Sequence, residues 1–334
     1  MSISPYTFRL ANMADKDAIV QFMNTHWETR HPLVNRPEYF GYYYQGNGGL
    51  LRFALAEQDE KIAALAGYIP ANQNETDLWV SLWAADKKAK GSGLELMAEI
   101  PSLTGCRSLS CNNIRPETRP FYEFLGFATG RMGHFYRLAE GKPYTLAKLT
   151  SISIPPVTGD VALLPIADAG SLLQSGFIPP SSANPHKDLW YLARRYFAFP
   201  HQQYNVYAAL APGSTIPGAL LVTRTIQSQG SAVLRIVDYV GPSAWLPRMG
   251  NGINQLLHQA NAEYADFYCA GLDAGLLSKA GFVERTEDDT NILPNYLTPP
   301  LFENTDYYYF TNLPQNFTMF KADGDQDRPN LPAT

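Results

Sequence analysis

Residues 78–100 read Leu78-Trp79-Val80-Ser81-Leu82-Trp83-Ala84, then Ala85-Asp86-Lys87-Lys88-Ala89-Lys90-Gly91-Ser92-Gly93, then Leu94-Glu95-Leu96-Met97-Ala98-Glu99-Ile100. Alternation in the first segment predicts a strand with Leu78, Val80, Leu82 and Ala84 on one face and Trp79, Ser81 and Trp83 on the other. The spacing of Leu94, Leu96, Met97 and Ile100 predicts a helix that Pro101 ends. Glycines between them permit backbone angles and close approaches that side chains obstruct. The first helical amides then face outward, where the aligned peptide dipoles favour a phosphate and Lys88 and Lys90 add charge. By itself the glycine pair is a weak signal, neither a Gly-x-Gly-x-x-Gly fingerprint nor a Gly-Lys-Ser/Thr loop.

Working outward, YTFRL (6–10) reads as a strand, and Asp15 precedes a helical run through Ala18, Ile19, Phe22 and Met23 as an acidic cap. Residues 30–37 break regular structure, EYFGYYYQ (38–45) reads as a short helix, and FALAEQ (53–58) with KIAALAGYI (61–69) reads as a hairpin. Downstream lie a strand at RSLSCN (107–112), a helix at PFYEFLG (120–126) and a strand at HFYRL (134–138). Periodicity fades from Gly141 to Gly159, with prolines at 143, 155 and 156, which divides the chain into 1–145 and 146–334.

The second part repeats the order: a strand and helix within Ala162–Gln174, a helix at LWYLARRYF (189–197), paired strands at VYAALA (206–211) and GALLVTRTI (218–226), and a strand at VLRIVDYVG (233–241). PRMGNG, a helix at INQLLHQANA, a strand at ADFYCAG and LLSKAGF follow. Gly93 to Gly126 spans 33 residues and Gly252 to Gly281 spans 29, each from a glycine turn to a Gly-Phe pair, which indicates a duplication.

At 334 residues, with 45% hydrophobic and 17% charged content, the chain is long enough for two folded domains. A net charge of -5 with no basic stripe argues against nucleic acid. The start lacks a basic segment followed by an apolar run, and no apolar stretch spans a bilayer, so the expectation is a cytoplasmic protein. Cys106, Cys111 and Cys269 form no Cys-x-x-Cys pair and read as free thiols, and the scattered histidines fit no zinc spacing, so no metal is expected.

Lys88-Ala89-Lys90-Gly91-Ser92-Gly93 resembles the acetyl-CoA signature of the GCN5-related N-acetyltransferase (GNAT) superfamily, with Lys88 where Gln or Arg is usual. Asn112-Asn113 and Pro120-Phe121-Tyr122-Glu123-Phe124-Leu125-Gly126-Phe127 resemble the later family motif. The resemblance implies an α/β fold of two tandem GNAT-like domains, each a mixed central sheet flanked by helices, the second degenerate. It implies acetyl-CoA as cosubstrate, with the backbone amides of Gly91, Gly93 and Leu94 on the pyrophosphate beside Ser92. The strand around Leu82, Trp83 and Ala84 would then meet the pantetheine arm, Asn112 would line the cofactor side of the cleft, and Tyr122 would protonate the leaving thiolate. A core or cofactor-packing tyrosine is the competing reading. Ser81 offers a group to position water or substrate, whereas Asp77 and Asp86 read as solvated caps. Cys106 and Cys111 have no His and acid nearby in sequence to make them nucleophiles.

The second copy departs at each chemical position: Arg248-Met249-Gly250-Asn251-Gly252 is one residue short, and Leu277 stands where Tyr122 does. Arg235 and Asp238, an odd distance apart, are expected on opposite strand faces. Asp238 can meet an acceptor ammonium or a neighbouring cation, and Arg194, Arg195, Tyr196 and His201 can bind a charged acceptor or serve helix packing. Asp323, Asp325 and Asp327 alternate, but Arg328 replaces the glycine of a calcium loop and the closing glutamate is missing, so a solvated or docked tail is expected. That ending, with LRIVDY and LPNY, resembles uncharacterised tandem members encoded with bacterial surface-polysaccharide genes, which implies an amino-sugar acceptor. The sequence therefore points to an N-acetyltransferase acting on a small-molecule amine, as monomer or homodimer. The alternative is a noncatalytic module for acyl-CoA, a nucleotide sugar or a protein.

Overall fold

A computed structural model describes residues 4–27 and 29–332. In chain order the first copy comprises β1 (Thr7–Asn12), α1 (Lys16–His26), α2 (Pro32–Asn35), α3 (Pro37–Tyr44), β2 (Leu50–Gln58), β3 (Lys61–Pro70) and β4 (Asp77–Ala85). It continues through α4 (Ser92–Thr104), β5 (Ser108–Ile114), α5 (Arg119–Phe124), β6 (Ala128–Arg131) and β7 (Gly133–Leu138). The second copy comprises β8 (Ala162–Ile166), α6 (Ala169–Gln174), α7 (Leu189–Phe197), β9 (Asn205–Leu210), β10 (Ala219–Ser228) and β11 (Ser231–Val240). Then come α8 (Gly250–Gln259), β12 (Tyr264–Ala270), α9 (Ala274–Lys279), β13 (Val283–Arg285), β14 (Tyr308–Thr311) and β15 (Met319–Phe320).

Two mixed sheets result, each flanked by helices, as the duplication implies. The first runs β1-β2-β3-β4-β5-β14-β6 and the second β13-β7-β12-β11-β10-β9-β8. The division at 145/146 does not separate them. β7 lies before it yet pairs with β12 and β13, while β14 comes from far beyond it and inserts between β5 and β6. Each copy thus lends a late strand to the other sheet. A period-two pattern tells which face a strand buries, not which sheet edge it joins, so the exchange was invisible in sequence.

Local expectations fail in instructive ways. Asp15 makes no cap bond to α1; Asn12 caps the preceding turn, and Asp15 accepts two bonds from Arg9. Pro101 lies inside α4, which continues to Thr104 and stops at Gly105 in the left-handed region, whose amide returns to Pro101 O. Asp77 is buried, accepting bonds from Ser108 Oγ at 2.6 Å and Arg107 at 2.7 Å, so it joins β4 to β5 and is not a solvated cap.

Strand alternation is broken twice at equivalent places. Val80 pairs with Tyr68 and Leu82 with Gly67, which leaves Ser81 as the extra residue of a bulge. Leu82 and Ala84 therefore pack with Trp79 in one core, and Trp83 with Leu78 and Val80 in the other. In β11, Asp238 pairs with Val222 and Ile236 with Thr223, leaving Val237 extra. Leu234, Ile236 and Tyr239 share one core, so the bulge turns Asp238 onto the face of Arg235, against the odd-spacing expectation.

Candidate functional site

β4 and β5 run parallel but pair only at Asp77–Ser108, Leu78–Leu109 and Trp79–Ser110. Beyond these the bulge at Ser81 bends β4 away, since a bulge kinks its strand and strengthens the local twist. The parting opens a cleft of about 1060 Å³ between residues 80–85 and the end of β5. Backbone groups of β4 that face this opening have no strand partner, so Leu82, Trp83 and Ala84 can bond an extended amide arm.

The glycine turn adjoins this opening. Gly91 caps α4 with φ +86, and a Cβ at Gly93 would come within 3.2 Å of Ala85 Cβ and 3.3 Å of the Trp83 indole nitrogen. Trp83 Nε1 donates to Gly93 O at 3.1 Å, which fixes the turn against β4. The Ser92 amide turns inward to Ala89 O, and Ser92 Oγ donates to Ala63 O. Among the described residues, the amides of Gly91, Gly93 and Leu94 find no acceptor within the chain. Gly91 is exposed and Leu94 half-buried, whereas Gly93 is buried. Lys88 and Lys90 extend into solvent, and it is Lys87 that lines the cleft.

Tyr122 forms part of the cleft wall. It is 4% exposed, with its ring 5.6 Å from Trp83 and 4.3 Å from Phe310 of the exchanged strand β14. Burial, then the neighbouring Cys111, pushes its phenol well above the ordinary tyrosine range, so it holds its proton at any physiological pH. Ser81, half-buried, shares a 2.9 Å hydrogen bond with Tyr44 and donates to Gly67 O. Asn112 points the other way, its Nδ2 donating to Phe320 O at 2.9 Å. Strand alternation places Cys111 and Asn113 on the cleft instead, and Asn113 Nδ2 donates to Gln326.

The C-terminal segment, expected only as a solvated or docked tail, completes the cleft. Arg195 of α7 donates to Ala322 O and Gln326 O and so holds it down, which gives that cluster a structural task. Asp325, 6% exposed, reaches the cleft and is 3.8 Å from Arg328 Nε. Burial raises its carboxyl above the ordinary range, with Arg328 opposing. Burial first, and then the charge of Asp325, raise both the Cys111 thiol on β5 and the Tyr44 phenol bonded to Ser81 on β4. Asp325, Cys111 and Tyr122 thus line one cleft. The alternating aspartates were visible in sequence, but nothing local showed that they return to a cleft formed two hundred residues earlier.

The equivalent opening in the second sheet is filled. β15 pairs with the free end of β12, and Ala322 N donates to Val237 O at the bulge. The α8 turn is covered as well: Asn251 N donates to Thr158 O, and a Cβ at Gly250 would meet Thr158 O at 2.8 Å. Leu277 is fully buried. Asp238, 0% exposed, is bound by Lys187 Nζ at 2.7 Å, by the Tyr196 hydroxyl and by the Tyr239 amide, so no acceptor reaches it.

No family model and no curated protein sequence matches the chain. Solved structures do. A GCN5-related N-acetyltransferase from Anabaena variabilis aligns over 92% of this chain and 72% of its own, with a TM-score of 0.52 and 11% identity. A conserved protein of unknown function from Enterococcus faecalis, described as a probable N-acyltransferase, aligns over 93% and 73%, with a TM-score of 0.54 and 11% identity. The likeness is one of fold: this chain carries the GNAT fold in two copies. Among the described residues no helix is long and apolar enough to cross a membrane.

Proposed function

We propose that the first sheet's cleft transfers an acetyl group from acetyl-CoA to the primary amine of a small molecule. The observation that carries this reading is the parting of β4 and β5 beside the three unpaired amides of Gly91, Gly93 and Leu94. Those amides would hold the pyrophosphate, Lys87, Lys88 and Lys90 would add charge at the mouth, and residues 82–84 would bond the pantetheine arm. The cosubstrate supplies an activated acyl carbon; the chain's residues supply orientation and proton transfer.

Asp325 takes a proton as the amine nitrogen bonds to the thioester carbon. Tyr122 gives its proton to the departing thiolate, and solvent restores both groups. Ser81 and Tyr44 orient the acceptor or a relaying water. The blocked second cleft supports a single acyl site in the first, with the second copy placing the tail. An amino sugar is the finer proposal for the acceptor.

The test is to titrate purified protein with CoA by calorimetry and to follow thiol release from acetyl-CoA with glucosamine and other small amines. The expected result is one CoA site per chain and amine-dependent thiol release. CoA binding without release under any amine would make the protein a noncatalytic acyl-CoA module, and no CoA binding would end the reading.

A further inference from the structure

Charges on the wall opposite the thioester side do not balance. Arg224 of β10 is held by Asp327 at 2.7 Å and Arg235 of β11 by Asp266 at 2.6 Å, both with bidentate geometry. Lys321 stands beside them, 5% exposed, with no carboxylate and no hydrogen-bond acceptor among the described residues. Its ammonium lies 3.5 Å from the Tyr307 ring centroid and 5.6 Å from that of Tyr268. Aromatic faces compensate a cation only in part, and a buried charge without an anion is costly. Three cations thus face two carboxylates, and the odd one opens onto the cleft.

Two more groups lining the same space have unmet bonds. Arg328 Nε is buried without an acceptor, Asp325 being beyond hydrogen-bond reach at 3.8 Å. Asn295 Oδ1, on a residue 5% exposed, accepts from nothing. A ligand that satisfied all three would bring an anion for Lys321 and Arg328 and a donor for Asn295.

We propose that this end of the cleft is an anion subsite in which Lys321 and Arg328 bind a carboxylate or phosphate carried by the acceptor, while its amine faces Asp325. The acceptor class is therefore a primary amine bearing an acidic group, whether an amino acid or a phosphorylated amino sugar. This rests on the acyl-transfer reading for the identity of the ligand, though not for the unbalanced charge. Burial, then Arg235, holds the Lys321 amine well below the usual lysine range, and Asp327 and Asp266 oppose this incompletely. An arriving anion would restore its proton.

The experiment titrates wild type, Lys321→Met and Arg328→Gln with two matched pairs: glucosamine 6-phosphate against glucosamine, and glycine against glycinamide. Each titration is run with and without saturating CoA. The expected result is that wild type binds the anionic member of one pair about tenfold or more tightly than its neutral mate. Which pair responds tells phosphate from carboxylate. Lys321→Met should erase that preference and Arg328→Gln reduce it, with CoA affinity unchanged. Lys321→Met should melt no lower than wild type, because it removes a buried amine that lacks a partner and keeps the bulk. Equal affinity within both pairs, absence of binding included, overturns the subsite, as does a preference that survives in Lys321→Met. A loss of CoA affinity in Lys321→Met would assign the cation to the cofactor's phosphates and likewise overturn it. Should wild type bind no CoA, the acyl-transfer reading fails alone, and the titrations without CoA still decide the subsite.

Discussion

Asp325→Asn is expected to lower kcat for amine acetylation roughly 100- to 1000-fold, the usual worth of a positioned general base, without altering CoA affinity. The carboxylate must be ionised to act, so kcat rises with pH through its raised pKa. In the variant that limb disappears and only the acceptor's own titration remains. Tyr122→Phe should cost a similar factor while leaving the limb in place, because burial keeps the phenol protonated across the accessible range. Stability separates a catalytic Asp325 from a structural one. A carboxyl whose folded pKa is raised contributes stability below its unfolded pKa and loses it as pH rises through the folded value. Near neutral pH the buried Asp325 charge is thus a cost, and Asp325→Asn should melt at or above wild type. A variant with full kcat would remove Asp325 from the mechanism, and one with low activity and low stability together would make it a packing residue.

Lys187→Met is expected to destabilise the protein by roughly 3–5 kcal/mol near neutral pH, the range for stripping one partner from a buried ion pair. Lys187 lies between Asp238, at 2.7 Å, and Asp323, at 2.5 Å, with all three buried. Desolvation opposes its charge, but the two carboxylates hold its pKa above the ordinary lysine range, so its contribution holds throughout the physiological range. Burial and the second carboxylate push Asp323 up to about 7, opposed by Lys187. Without the lysine, burial and Asp238 would act on Asp323 unopposed, which makes the loss large at about pH 8 and much smaller at about pH 5. Urea denaturation at the two values checks this, and a pH-independent loss would contradict it. The clamp also has a functional consequence. Asp323 is two residues before Asp325, so loosening it should lower acetylation even where Lys187→Met remains folded.

What sequence could reveal here followed the range of its signals. The strand, glycine turn and helix of 78–100 were legible because alternation, glycine freedom and helical spacing are local. The duplication was legible because each copy repeats that local order. Tyr122 was found through a motif on one short helix. The motif names the Asn112-Asn113 pair but not the strand face, so it points to Asn112 where the cleft takes Asn113. The odd spacing of Arg235 and Asp238 misleads because an extra residue at Val237 shifts the period by one without any mark in composition. The exchange of β7 and β14, the plug at β15 and the return of Asp325 depend on pairings across more than a hundred residues. So does Lys187, an ordinary lysine in a loop until Asp238 and Asp323 close around it.

The claim on which the rest depends is that the parted ends of β4 and β5 receive an acyl thioester. The most direct measurement is a crystal structure of the protein soaked with CoA. It should show the diphosphate on the amides of Gly91, Gly93 and Leu94 and the thiol between Tyr122 and Asp325. CoA lodged elsewhere, or a cleft left empty at saturating CoA, would contradict the account.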